Sequence, residues 1–309
     1  MSLFPSHDPG NYNHHLIDTV RGANNGQNVL YSNLTNAEGA TNSLTAFTSD
    51  GFTVGSNSSV NHNSNAIVGW TWDAGTSTSS NTDGTVNSNV RANQTAGFSI
   101  VTATLPNYYT NYTIGHGLNA TPHFIIGKNR ATANQWDVYH QDVGIGKLFR
   151  LNQTSAVSNA TPNQDSYYPT SPTTSVFGFV GNNNTMNFVW YVFTEVAGYS
   201  SFGKYTGNGL ADGPFVYTGF RPALIMAKLT SGNTDDWVMI DTTRSPYNAV
   251  DETLFPNSNT AEDTGSFYVD ILSNGFKPRQ TSNKWNGASN YEYVYAAFAE
   301  HPLKTARAR

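Results

Sequence analysis

The carboxylates are the first residues to weigh for chemistry. Asp18 and Asp241 fall at matching positions of an internal repeat, while the middle copy places His140 there. A glycoside hydrolase needs two carboxyl groups facing each other across a cleft, about 5 Å or about 6.5–9.5 Å apart. Asp235-Asp236 and Asp251-Glu252 stand beside turn-forming residues and read as solvated loops. No set of residues with convergent spacing emerges, so the expectation is a protein without catalytic residues, not an enzyme. The 8 histidines are dispersed. His14 and His15 are adjacent, and neighbours on a strand point to opposite faces, which suits a metal poorly. His116, between two glycines, reads as part of a turn. The Asp-x-Asp-x-Asp-Gly pattern of a calcium loop is absent, and neither a metal nor a cofactor is expected.

The aromatic residues offer binding chemistry instead. Flat rings backed by amides and hydroxyls can hold sugars, and such sites commonly sit on loops. Tyr108, Tyr109 and Tyr112 lie in Leu-Pro-Asn-Tyr-Tyr-Thr-Asn-Tyr, and Tyr167 and Tyr168 in Asp-Ser-Tyr-Tyr-Pro-Thr-Ser-Pro. Both stretches are turn-rich, so these five rings are expected on an outward surface, against a glycan or a neighbouring subunit.

The elements that must position these groups come from a repeat. Pro122 and Lys128 lie 100 positions before Pro222 and Lys228, and Trp136-Asp-Val-Tyr-His140 matches Trp237-Val-Met-Ile-Asp241. Leu16-Ile-Asp-Thr-Val-Arg21 resembles Met239-Ile-Asp-Thr-Thr-Arg244. Asn33, Asn152 and Asn257 are each followed four residues later by Ala37, Ala156 and Ala261. Each copy closes on an aromatic segment: Ile67–Trp72, Phe188–Phe193 and Tyr291–Phe298. Recurrence in every copy points to architecture, so function is expected where the copies differ.

Within a copy the hydrophobic period is two. Tyr291, Tyr293, Tyr295 and Ala297 share one face of the last segment and Val294, Ala296 and Phe298 the other, so this strand is expected to be covered on both sides. Asp50-Gly51, Asp83-Gly84, Asn208-Gly209 and Asn274-Gly275 separate short strands. The expectation is an all-β chain of tandem β-sandwich repeats of about 100 residues, concanavalin- or jelly-roll-like. The units would be 1–75, 97–198 and 199–309, with 76–96 a linker or surface hairpin. The first unit starts at the Leu-Ile-Asp-Thr strand and lacks opening strands. It should therefore expose an apolar edge around Leu16, Ile17, Val68, Trp70 and Trp72. Another subunit, another protein, or residues 76–96 folding back would complete it.

Composition narrows the classes further. Of the 309 residues, 38% are hydrophobic and only 12% charged, against about 25% charged in an average soluble protein. The net charge of −5 and the scattered Lys and Arg argue against nucleic-acid binding. Lys304, Arg307 and Arg309 form the one basic cluster and read as a solvated tail. There is no cysteine, no signal-peptide pattern and no apolar run of membrane length, so neither disulfides nor a membrane partner is expected.

The stretch Tyr199–Pro222, with Ile271–Lys277, Tyr295–Pro302, Gly115–Leu118 and Gly69–Gly75, resembles structural proteins of marine phages, notably cyanophages. The resemblance covers nearly all of the chain beyond about residue 14. It implies a virion structural, tail-fibre-like or lectin-like protein with a concanavalin-type sandwich, and brings no catalytic residues. The expectation is a non-enzymatic virion surface protein, on a tail fibre, tail appendage or head decoration, helping host adsorption. It would be made in the host cytoplasm and released by lysis. Its partners would be other virion proteins, further copies of itself and host surface polysaccharide. A glycan-binding receptor protein is the alternative, with a glycan-degrading depolymerase behind it.

Overall fold

A computed structural model describes residues 12–22, 28–63, 65–182 and 186–299, together with the backbone of the strand at 2–4. Among these residues there are strands and turns but no α-helix, so the chain is all-β and no helix could cross a membrane. The basic cluster at Lys304, Arg307 and Arg309 lies outside the described residues.

The first unit contains β1 (Ser2–Phe4), β2 (His15–Ile17), β3 (Leu30–Tyr31), β4 (Leu44–Phe47), β5 (Phe52–Val54) and β6 (Trp70–Thr71). These form a sheet in the order β3-β2-β1-β6 and a separate β4–β5 hairpin turning at Asp50-Gly51. The second unit contains β7 (Ser79–Asn81), β8 (Ser88–Asn93), β9 (Phe98–Leu105), β10 (Asn111–Gly115), β11 (Phe124–Asn129), β12 (Trp136–His140), β13 (Lys147–Leu148), β14 (Ser158–Asn159), β15 (Val176–Val180) and β16 (Met186–Phe193). Its main sheet runs β12-β11-β16-β9-β8-β7, and a β10–β15 pair covers one face. The third unit contains β17 (Ser200–Thr206), β18 (Val216–Tyr217), β19 (Pro222–Leu229), β20 (Trp237–Asp241), β21 (Val269–Leu272), β22 (Gly275–Pro278) and β23 (Glu292–Ala299). There a β17-β23-β19-β20 sheet packs on a β18-β22-β21 sheet. Residues 76–96 contribute the β7–β8 hairpin, which widens the second unit's sheet.

Each main sheet is apolar on both faces because alternate residues serve different cores. On β23, Tyr293, Tyr295 and Ala297 enter the third unit's own sandwich, whereas Val294, Ala296 and Phe298 face a core common to all three units. On β16, Phe188, Trp190 and Val192 fill the second sandwich, and Val189, Tyr191 and Phe193 point to the common core. Leu16 and Leu30 join that core from the first unit, with Trp70 and Trp72 packed against it.

At its centre three matched residues meet. The rings of Trp72, Phe193 and Phe298, each from the closing strand segment of its unit, stand 6.2, 5.5 and 5.8 Å apart in edge-to-face contacts. Such contacts add to the gain from burying the rings.

The hydrogen bonds around this centre run in a closed circuit. Trp136 Nε1 donates to the carbonyls of Tyr31 and Leu34 at 2.8 and 3.2 Å, tying unit two to unit one. Trp237 Nε1 donates to the Arg150 carbonyl at 2.9 Å, tying unit three to unit two. The position matching these tryptophans in unit one is His14, whose Nε2 donates to the Ser258 carbonyl of unit three. Lys128 and Lys228, both fully buried, donate to the carbonyls of Thr35 and Thr154 in the neighbouring unit at 3.1 and 3.0 Å. Burial lowers both amines to about 8. The recurring asparagines set the same corner three times: Asn33, Asn152 and Asn257 Oδ1 accept from the backbone of His14, Trp136 and Trp237 at 3.1, 2.9 and 2.8 Å.

The expectation of an uncovered apolar face in unit one is corrected here, whereas among the described residues the unpaired edge remains, at β6. Leu16 and Ile17 are buried, and Val68, Trp70 and Trp72 are half-buried. The chain's own second and third units cover Leu16, Trp70 and Trp72 through the common core, and the first unit's Val29, Leu44 and Val60 cover Ile17. Residues 76–96 do not fold back onto the first sheet, and β1 fills its centre as β11 and β19 do in the other two. Among the described residues β6 has no strand on its far side, where β9 and β17 flank β16 and β23.

Buried imidazoles make this closure sensitive to acid. Burial holds His14, His15, His116 and His140 at about 4, below the ordinary 6.5. The folded chain keeps them neutral while the unfolded chain takes up protons below pH 6.5. Their stabilisation is therefore complete above that pH and is lost as pH falls towards 4, at about 1.4 kcal/mol per pH unit for each. In His14→Gln the amide can still donate to Ser258, so urea unfolding between pH 6.5 and 4 should show a slope shallower by one proton. Parallel curves for the two proteins would contradict this.

Candidate functional site

The face of the six-stranded sheet that feeds the common core changes character along its length. On β9, Phe98 and Ile100 enter the core, but Thr102 and Thr104, the next two residues on that face, are polar. The same switch occurs on β16, where Asn187 precedes Val189 and Tyr191. The polar end is a groove of about 620 Å³, within the roughly 300–1,000 Å³ range of ligand pockets. Its floor is laid out by strand register: Asn89 opposite Thr102 on β8 and β9, and Thr104 opposite Asn187 on β9 and β16. Arg130 closes the row, its backbone N–H donating to the Asn187 carbonyl at 2.7 Å.

The wall is the end of the β7–β8 hairpin, residues Thr85, Val86 and Asn87. It is clamped to β10 by reciprocal bonds: the Thr85 N–H donates to Thr113 Oγ1 and the Thr113 N–H to Thr85 Oγ1, each at 2.9 Å. Gly84 permits the approach, since a Cβ there would stand 2.2 Å from the Thr113 carbonyl oxygen. Among the described residues only the second unit has this hairpin, so the groove occurs where the copies differ.

The groove's electrostatics are nearly neutral. Arg130 is its one ionised side chain, and Glu38 of the first unit neutralises it, accepting from Nε at 3.0 Å and Nη2 at 2.7 Å. Thr104 Oγ1 donates to Asn187 Oδ1 at 2.9 Å, which leaves the Asn187 amide donors available. Asn87 and Asn89 are exposed and make no side-chain hydrogen bond to the described residues. Sequence reasoning missed these residues because the run from 76 to 96 reads as a linker or surface hairpin with nothing to show what lies beside it. The available signal was the shift from Phe98 and Ile100 to Thr102 and Thr104 on one face.

The five tyrosines divide, and none lines the groove. Tyr108 is 51% exposed and Tyr109 half-buried, in a turn two residues beyond the groove-lining Pro106. Tyr109 holds a φ of 54°, unusual for a bulky residue, while its N–H donates to the Gly181 carbonyl at 2.8 Å. Tyr167 is half-buried and bridges to Val180. Tyr112 and Tyr168 contradict the expected surface position, for both rings lie in the second unit's own sandwich core. Tyr112 is on β10 opposite Phe179, and Tyr168 packs on Phe179 with its hydroxyl donating to the Asp137 carbonyl. The turn-rich sequence around them conceals short inward-facing segments.

Of the carboxylates weighed for catalysis, Asp18, Asp241, Asp235 and Asp236 are held by cations. Asp18 and Glu38 both accept from buried Arg21, which also bonds Tyr191 Oη at 2.9 Å. Burial works against the Arg21 charge, yet Asp18, Tyr191 and Glu38 together raise its pKa. Asp241 and Glu262 bind Arg244 in the same way. His140, at the matching position of unit two, donates from Nε2 to the Tyr295 carbonyl at 3.1 Å. Asp235 and Asp236, expected in a solvated loop, both accept from Lys284 at 2.6 Å. Asp251 accepts a bond from Ser245, and burial, reinforced by Glu262, raises Glu252. His116, expected in a turn, is buried beyond β10 with Nε2 donating to the Thr173 carbonyl at 3.2 Å. Among the described residues no three His, Asp or Glu side chains gather closely enough to hold a metal.

The fold and the groove define an all-β protein of linked sandwich units carrying a polar, sheet-floored cleft. The chain belongs to the family described as Domain of unknown function (DUF7483), which matches residues 7–302. No curated protein and no solved structure matches it.

The division of the tyrosines has a measurable consequence. Tyr168→Ala should destabilise the protein by about 3–5 kcal/mol, as for other large buried aromatics, whereas Tyr108→Ala should stay within about 0.5 kcal/mol. Denaturant titration of both variants checks this, and equal losses would contradict the assignment.

Proposed function

We propose that the chain is a non-enzymatic structural protein of a phage particle's outer surface, on a tail appendage or as a head decoration, with a role in adsorption to the host. The observation that carries the structural part is the common core. The three units share one aromatic centre and a closed circuit of hydrogen bonds, an arrangement suited to load and exposure. The phage setting rests on the sequence resemblance at Tyr199–Pro222, Ile271–Lys277 and Tyr295–Pro302. A surface made soluble by amides and hydroxyls, with 12% charged residues, fits an exposed position outside the cell.

The groove supports the non-enzymatic part of the reading. Among the described residues no carboxylate lines it, so they supply no acid–base pair for glycoside hydrolysis there. Attachment would be through other virion proteins. Further copies of the chain would add contacts without being needed to bury the first unit.

Cryo-electron microscopy of particles carrying a tagged chain tests the proposal. The tag is expected on the outside of the virion, and purified chain incubated with host polysaccharide should release no oligosaccharide. Absence of the chain from purified particles, or turnover of the polysaccharide, would refute it.

A further inference from the structure

We infer that the groove on the second unit's sheet is a binding site for a neutral oligosaccharide, contacted through Asn87, Asn89, Thr102, Thr104 and Asn187. This goes beyond the surface-protein reading and does not depend on where the chain is mounted. The argument starts from what the lining can satisfy. Amides and hydroxyls both donate and accept, and a ligand that matches them must carry many groups of the same dual kind. A run of sugar hydroxyls does so.

Strand geometry supplies the spacing. Neighbouring strands lie about 4.8 Å apart and alternate residues on one strand about 6.8 Å apart. The Asn89–Thr102 and Thr104–Asn187 pairs therefore form a fixed polar grid. The grid is already organised, since the sheet continues directly into the common core through Ile100, Val189 and Tyr191. The ordering cost of binding therefore falls on the free Asn87 and Asn89 side chains and not on the backbone beneath them.

Other ligand classes fit less well. A phosphate or nucleic-acid backbone needs uncompensated cations, whereas the one arginine here is neutralised by Glu38. An extended peptide adding to the sheet needs a free edge, whereas β8, β9 and β16 are paired on both sides. An apolar ligand would strand the free amides of Asn87 and Asn89.

The test uses the purified full chain and nuclear magnetic resonance or calorimetric titration. The probes are neutral glucose and mannose oligosaccharides of several linkages, with alginate oligomers as the acidic comparison. At least one neutral oligosaccharide is expected to bind saturably. Asn89→Ala/Asn187→Ala should weaken that binding at least tenfold without shifting the thermal midpoint. Asn89→Trp, which fills the groove from an exposed position, should abolish it. The inference is overturned if no neutral oligosaccharide binds, if only alginate does, or if the neutral binding survives in both variants while they remain folded.

Discussion

The rest of the structure depends on the meeting of Trp72, Phe193 and Phe298. A β-sheet with two apolar faces must be covered twice, and each unit's second sheet or hairpin covers only one side. The other sides solve the problem jointly by turning towards a common axis, so three half-exposed sheets become one interior. Phe98, Phe124 and Phe202 thicken this centre around Phe193 and Phe298. A chain without cysteine thus obtains through shared burial the rigidity that small exposed domains often take from disulfides.

The polar groups at the unit boundaries follow from that burial. Units one and three each carry an aspartate, an arginine and a glutamate at matched positions: Asp18, Arg21 and Glu38, and Asp241, Arg244 and Glu262. Unit two has His140, Val143 and Val157 instead, and its two valines pack against the common core. The set changes as a whole because a buried charge without its partners costs several kcal/mol, whereas an apolar replacement of the whole group can be neutral. His14 in place of a tryptophan is a related exchange: the donor to the neighbouring carbonyl is kept and the large ring is not.

Much of this was legible in the sequence. Period two on both faces of residues 291–298 announced a doubly covered strand, and Asp50-Gly51, Asp83-Gly84 and Asn274-Gly275 marked real hairpins. The repeated Asn33, Asn152 and Asn257 proved architectural, each accepting from the backbone N–H of His14, Trp136 or Trp237 at the entry to β2, β12 or β20. What pattern alone could not give was the identity of the covering surface. An apolar face reads the same whether a partner or the same chain buries it, which is why Leu16 and Trp70 looked like an assembly edge. Tyr112 was misplaced because a short strand beside Pro and Asn resembles a loop, and Tyr168 because an irregular segment can still turn a ring inward. The groove stayed hidden because Asn89 and Asn187, 98 positions apart, face one cleft only once β8, β9 and β16 are paired.

The central claim is that the three units, besides their own interiors, stand on one interior that they share. Native-state hydrogen exchange on Phe193→Ala addresses it most directly, because the ring belongs to the second unit by sequence and to all three by contact. The shared core requires that amides of β2, β16 and β23 lose protection together, each by about 3–5 kcal/mol. Loss confined to the second unit, with β2 and β23 protected as before, would contradict it.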